Sequence, residues 1–158
     1  MNRPKVRRDI ILDSQGVSVL ARGDQLAQAW LEQLADTYDP PVFLVPTVVL
    51  TEVTTGHASD AKLNRFLAAI ESDNHPGAFY LPTTPEIAAR AGVLRTTAIE
   101  RRLFHADDIS TVDAQVVALA EDRSRRNGVT IMTSDRRHIE DLLDSIAQRP
   151  SNIAVEIV

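Results

Sequence analysis

Asp9-Ile10-Ile11-Leu12-Asp13-Ser14 is the stretch on which the fold turns. A short, mostly apolar run that ends on an acid has the pattern of a buried central strand delivering a polar residue at its carboxyl end. Three runs of the same kind follow: Val42-Phe43-Leu44-Val45, stopped by Pro46; Ala78-Phe79-Tyr80-Leu81; and Val129-Thr130-Ile131-Met132, leading into Thr133-Ser134-Asp135. Ile153 to Ile157 reads as a last, edge-like strand.

Between the runs the apolar period changes to that of helices. Leu26, Trp30, Leu34 and Tyr38 recur every four residues, and Leu63, Phe66, Leu67 and Ile70 fall at i, i+3, i+4 and i+7. Thr84-Pro85-Glu86 opens a further helix with Ile87, Ala91, Leu94 and Ala98 on its buried face. Arg101 to Ile109 is charged and reads as loop, and Ser110 then begins a helix carrying Val112, Val116 and Leu119 that ends near Gly128. Ile139, Leu142, Leu143 and Ile146 mark one more. The segment after Pro46, Thr47 to Val53, is rich in β-branched residues, but a proline at its start favours helix. This alternation predicts an α/β fold: a mainly parallel central sheet of about five strands flanked by helices on both faces, with ligands beyond the carboxyl ends of the strands.

The chain of 158 residues fits one domain, 1–158. Its 44% hydrophobic and 25% charged residues are those of a globular protein, and every apolar run is too short to cross a bilayer. The basic start, Met1 to Arg8, lacks an apolar stretch and cleavage site, so a cytoplasmic location is expected. No cysteine is present, which excludes disulfides, thiolate nucleophiles and cysteine-held metals and leaves oxygen or imidazole ligands. None of the glycine spacings forms a phosphate-cradling loop. A net charge of −5 repels nucleic acid overall while leaving room for a local basic patch.

Four acids occupy telling places: Asp13 after the first strand, Glu52 just after the second, Asp113 in the first turn of the helix feeding the fourth, and Asp135 after the fourth. Each has a local explanation. Asp13 and Asp135 suit helix caps, and Asp113 suits the third position of a capping box behind Ser110. Glu52 resists such a reading, because Val48, Val49, Leu50 and Val53 surround it and glutamate is rarely buried alone. Together the acids arrive at one edge of a parallel sheet. Two charges about 4 Å apart repel by roughly 4 kcal/mol at a protein-like dielectric. A hard divalent cation offsets that cost, and Mg²⁺ does so while keeping waters for a substrate phosphate.

The order of these pieces resembles the PIN-domain family, and within it the VapC-like toxin ribonucleases. The resemblance rests on Ile10-Ile11-Leu12-Asp13-Ser14, on Val49-Leu50-Thr51-Glu52-Val53, on Thr111-Val112-Asp113-Ala114-Gln115-Val116-Val117-Ala118-Leu119-Ala120 and on Ile131-Met132-Thr133-Ser134-Asp135. It implies an endoribonuclease dependent on Mg²⁺ or Mn²⁺, often homodimeric, that is the toxin of a type II toxin–antitoxin pair and is silenced by a cognate antitoxin. It also implies Asp13, Glu52, Asp113 and Asp135 as the catalytic set. Asp13 and Asp135 are assigned to direct metal contact, joined by Asp113, and Glu52 completes the site or orients the water. Thr133 or Ser134 is the supporting hydroxyl, and the products carry a 3′-hydroxyl and a 5′-phosphate. Ser14-Gln15 stands where such toxins more often have a small hydroxyl pair, and the chain is long for a minimal toxin.

Arg136-Arg137 directly follow Asp135 and are expected to touch the RNA backbone beside the metal. Arg101-Arg102 and Arg123, Arg125 and Arg126 read as solvated helix faces. His57, His75, His105 and His138 show no metal-ligand spacing. Aromatic residues make up only 4%, which disfavours a base-stacking platform. A phosphoacceptor or phosphatase wants a strand-end lysine, and the only lysines, Lys5 and Lys62, sit elsewhere. An RNase-H-like nuclease opens with hairpins that are missing. The remaining alternative is a catalytically silent PIN-like module that binds RNA or protein.

Overall fold

A computed structural model of the chain describes residues 7–25, 29, 32–33, 41–54, 60–72, 74–75, 77–102 and 108–158. The expected helix stripe of Leu26, Trp30, Leu34 and Tyr38 lies outside the described residues. Five strands form one sheet: β1 (Arg8–Leu12), β2 (Val42–Pro46), β3 (Ala78–Leu81), β4 (Gly128–Thr133) and β5 (Ile153–Ile157). Their order is β3-β2-β1-β4-β5, and every pairing is parallel. Ile10, Ile11 and Leu12 of β1 and Val129, Ile131 and Met132 of β4 are fully buried, as two-sided burial in the sheet centre demands.

Six α-helices accompany the sheet among the described residues: α1 (Ser14–Arg22), α2 (Leu50–Val53), α3 (Ala61–Glu71), α4 (Pro85–Arg102), α5 (Thr111–Ser124) and α6 (Arg136–Asp144). A turn of 3₁₀ helix, Thr47–Val49, leads into α2, so the β-branched segment after Pro46 is helical as its proline indicated. α1 packs on α2 and α3, while α4, α5 and α6 pack on one another. That division follows from right-handed crossovers, which put connections on opposite faces when the sheet grows in opposite directions from β1. Leu63, Phe66 and Ile70 of α3 and Ala91, Leu94 and Ala98 of α4 are the buried stripes that periodicity anticipates. The charged stretch from Arg101 is a correction: α4 runs on through Arg102 before residues 103–107, which lie outside the described set. Nothing in Arg101 or Arg102 breaks a helix, and both are good helix formers.

The sheet reverses its direction of growth between β1 and β4, which makes their carboxyl ends the topological switch point of the fold. One glycine governs the approach of α1 to that point. A Cβ on Gly16 would lie 2.7 Å from the carbonyl oxygen of Met132, a backbone atom that cannot swing away. Met132 also accepts the amide of Asp13 at 3.1 Å, so the first turn of α1 is tied to the end of β4. Gly16→Ala should therefore cost about 1–3 kcal/mol by overpacking and lower the melting temperature by several degrees. Calorimetry of the variant beside the parent chain checks it, and an unchanged melting temperature would mean that α1 shifts freely.

Candidate metal centre

Asp13 leaves β1 as the N-cap of α1, its Oδ1 accepting the Gly16 amide at 2.6 Å. It is only 5% exposed. Burial raises the pKa of its carboxyl, against the pull of hydrogen bonds from the Thr133 hydroxyl and the amides of Gly16, Gln15 and Ser134. Thr133, fully buried at the end of β4, also accepts the Asp135 amide at 2.9 Å. One hydroxyl thus joins the ends of the two central strands and bonds to both acids. Ser134 is exposed and contributes its amide.

Asp135 is the N-cap of α6, accepting the His138 amide at 3.2 Å. Its other oxygen lies 2.6 Å from Nδ1 of His138, and the side chain is 45% exposed. Asp113 sits on the first turn of α5, behind a cap in which Ser110 Oγ accepts the amides of Val112 at 3.0 Å and Asp113 at 3.5 Å. Its pKa is pushed up to about 7, first by burial and then by the charges of Asp13, Glu52 and Asp135, with His138 opposing. The charges of three acids from three other segments converge on Asp113. Capping and convergence are both true here: the helix starts that hold Asp13 and Asp135 locally also aim them at one place.

Glu52 is a correction in one respect. Its apolar neighbours suggested a buried carboxylate, but it is exposed on α2, while Val49 and Val53 are the buried positions of that turn. The side chain of Glu52 stands at the surface of this short turn, and its charge still acts on Asp113. His138 is the residue the spacing rules miss. Asp113, Asp135 and His138 each offer a ligand atom within 4.8 Å of the others, the one such group among the described residues. Asp13 stands outside this group, held by the α1 amides and Thr133. Two carboxylates and an imidazole are a donor set for a divalent ion, and the strained ionisation of Asp113 fits such an ion. Arg136 and Arg137 lie exposed on the first turn of α6, Arg136 loosely paired with Glu140 at 3.9 Å.

Comparison with solved structures finds this fold in VapBC2 from Rickettsia felis, bound to a DNA fragment from its promoter, at 16% identity and a TM-score of 0.58, covering 94% of this chain and 98% of that one. VapBC-1 from nontypeable Haemophilus influenzae is similar at 11% identity and a TM-score of 0.61, covering 94% and 97%. A toxin–antitoxin complex from Klebsiella pneumoniae matches at 17% identity and a TM-score of 0.56, covering 94% and 99%. Comparison with curated protein sequences returns no match. The PIN domain family matches residues 10–142, a span that holds all four acids and His138. With strand order, switch point and family match in agreement, the chain belongs to the PIN-domain family.

Proposed function

We propose that this chain is a metal-dependent endoribonuclease, the toxin of a type II toxin–antitoxin pair, acting in the cytoplasm as a single-domain, homodimeric enzyme. The observation that carries the reading is the convergence on Asp113, where burial and three other acids make a bare negative charge unfavourable. Asp113 and Asp135 would hold Mg²⁺ or Mn²⁺, with Asp13 behind them and His138 within ligand reach. A bound divalent ion supplies activation of water and neutralisation of the scissile phosphate. The protein's part is position. Thr133 keeps Asp13 and Asp135 in register, Glu52 stands at the open rim to orient water, and Arg136 and Arg137 hold phosphates beside the cut. Likeness in fold to VapBC proteins and to a toxin–antitoxin complex supports an antitoxin as partner.

Purified protein incubated with total RNA should cut it in millimolar Mn²⁺ or Mg²⁺ and leave it intact with chelator. Absence of cleavage under every metal would sink the nuclease reading and leave the binding module.

A further inference from the structure

The amino end of the sheet, opposite the acids, carries a charge of the other sign. Asp9 on β1 is fully buried there, and Arg123 from α5 meets one of its carboxylate oxygens with Nε at 2.8 Å and a terminal nitrogen at 2.6 Å. Asn127 donates to the same oxygen at 2.9 Å, and Asn152 donates to the carbonyls of Ser124 at 2.7 Å and Asn127 at 2.9 Å. These bonds fasten the turn between α5 and β4 to the sheet. The turn in turn presents Arg125 and Arg126 to solvent.

Beside it opens a cleft of about 560 Å³ lined by Arg7, Arg8, Arg125, Arg126, Asn127 and Asn152, with Ser124 and Gly128 completing the wall. No carboxylate and no large apolar side chain lines it among the described residues. Two acids lie nearby: Asp9, held beneath Arg123 and 3.7 Å from Arg7, and Asp122, 3.6 Å from Arg125, so arginines still outnumber acids around the cleft. In a chain of net charge −5, such a concentration of arginine marks an anion site. Arginine forks and amide donors match phosphate oxygens. A protein-docking surface would be expected to show an apolar or aromatic anchor at its centre, which this cleft lacks.

We propose that this cleft is a second RNA-binding site, gripping the phosphodiester backbone without regard to sequence at a distance from the metal centre. It rests on the nuclease reading and extends it. β4 alone separates the two ends by about 17 Å, so a folded RNA that reaches both is held more tightly than a short one at the metal centre alone.

Anisotropy of a fluorescein-labelled RNA hairpin, measured in EDTA to prevent cleavage, tests this with the double variant Arg125→Glu/Arg126→Glu. Both side chains are exposed, so the variant keeps the fold. Affinity should fall about tenfold or more, and the dependence of log affinity on log salt should flatten by about two. Cleavage of a short single-stranded RNA with Mn²⁺ should keep the parent rate. Unchanged affinity and salt slope would overturn the proposal, as would a parent chain that does not bind the hairpin. So would a variant that loses poly-glutamate binding while keeping RNA, since the cleft would then take an acidic polypeptide. Cleavage by the parent chain is scored separately, so failure of the cleft and failure of the nuclease reading give different results.

Discussion

Asp135→Asn should reduce metal-dependent RNA cleavage by about 10³-fold, equivalent to ~4 kcal/mol of barrier, while leaving the metal-free protein as stable as the parent or more so. Asparagine caps a helix as well as aspartate does, so the His138 amide keeps its acceptor and α6 its start. What disappears is the charge on a half-exposed contact to His138 and a negative charge beside the more buried Asp113, and the metal-free fold is better without the second. Asp13→Asn should behave likewise in cleavage, because its carboxylate stands behind the same site. Activity and stability thus move in opposite directions, the signature of acids kept for function rather than for folding. Cleavage assays together with urea unfolding in EDTA provide the check. Parent-like cleavage in both variants would remove these residues from the site.

Stability of the metal-free chain should fall as pH rises from about 4 to 7, the reverse of an ordinary salt-bridged carboxylate. The unfolded chain releases the Asp113 proton near 3.8, whereas the folded chain holds it until about 7. Within that window the folded state binds more protons, so raising the pH favours unfolding. A shift of about three units corresponds to a loss on the order of 4 kcal/mol, complete above pH 7 and absent below 4. Asp13, also raised by burial, adds to the same trend. A divalent ion reverses it. Millimolar Mn²⁺ should raise the melting temperature by several degrees at pH 8 and scarcely at pH 5, where the proton competes for Asp113. Differential scanning calorimetry at the two values, with and without Mn²⁺, decides the matter. Equal shifts at both, or none at either, would mean that no ion binds at Asp113.

The strands were legible because each is a short apolar run closed by a proline, a polar cluster or an acid, and burial on both faces leaves no other reading of Ile10 to Leu12 or Val129 to Met132. Convergence of the acids was legible from topology, since strand ends in a parallel sheet share an edge. What escaped depends on partners distant along the chain. Nothing near Gly16 announces that Met132 will sit where its Cβ would be. His138 has none of the usual metal-ligand spacings, and its only local sign is a place three residues after a helix-capping aspartate, where both side chains share a face. Glu52 reads as buried because its neighbours in sequence are apolar, whereas only Val49 and Val53 of that short turn reach the core and residues 51 and 52 stay at the surface. Arg123 reads as part of a solvated helix face because Asp9, with which it pairs, lies far away on the first strand, while Arg125 and Arg126 are exposed as that reading expects.

The placement of β4 between β1 and β5 also sets the order in which the two halves of the sheet can be joined. β1, β2 and β3 can pair among themselves, but the other side of β1 has no neighbour until Gly128 to Thr133 is in place. Until that late insertion Asp13 has no Thr133 to hold it and no Asp135 beside it. The acids can therefore meet only after β4 and the first turn of α6 have joined the sheet, so the first strand waits for the fourth before its carboxyl end becomes a site.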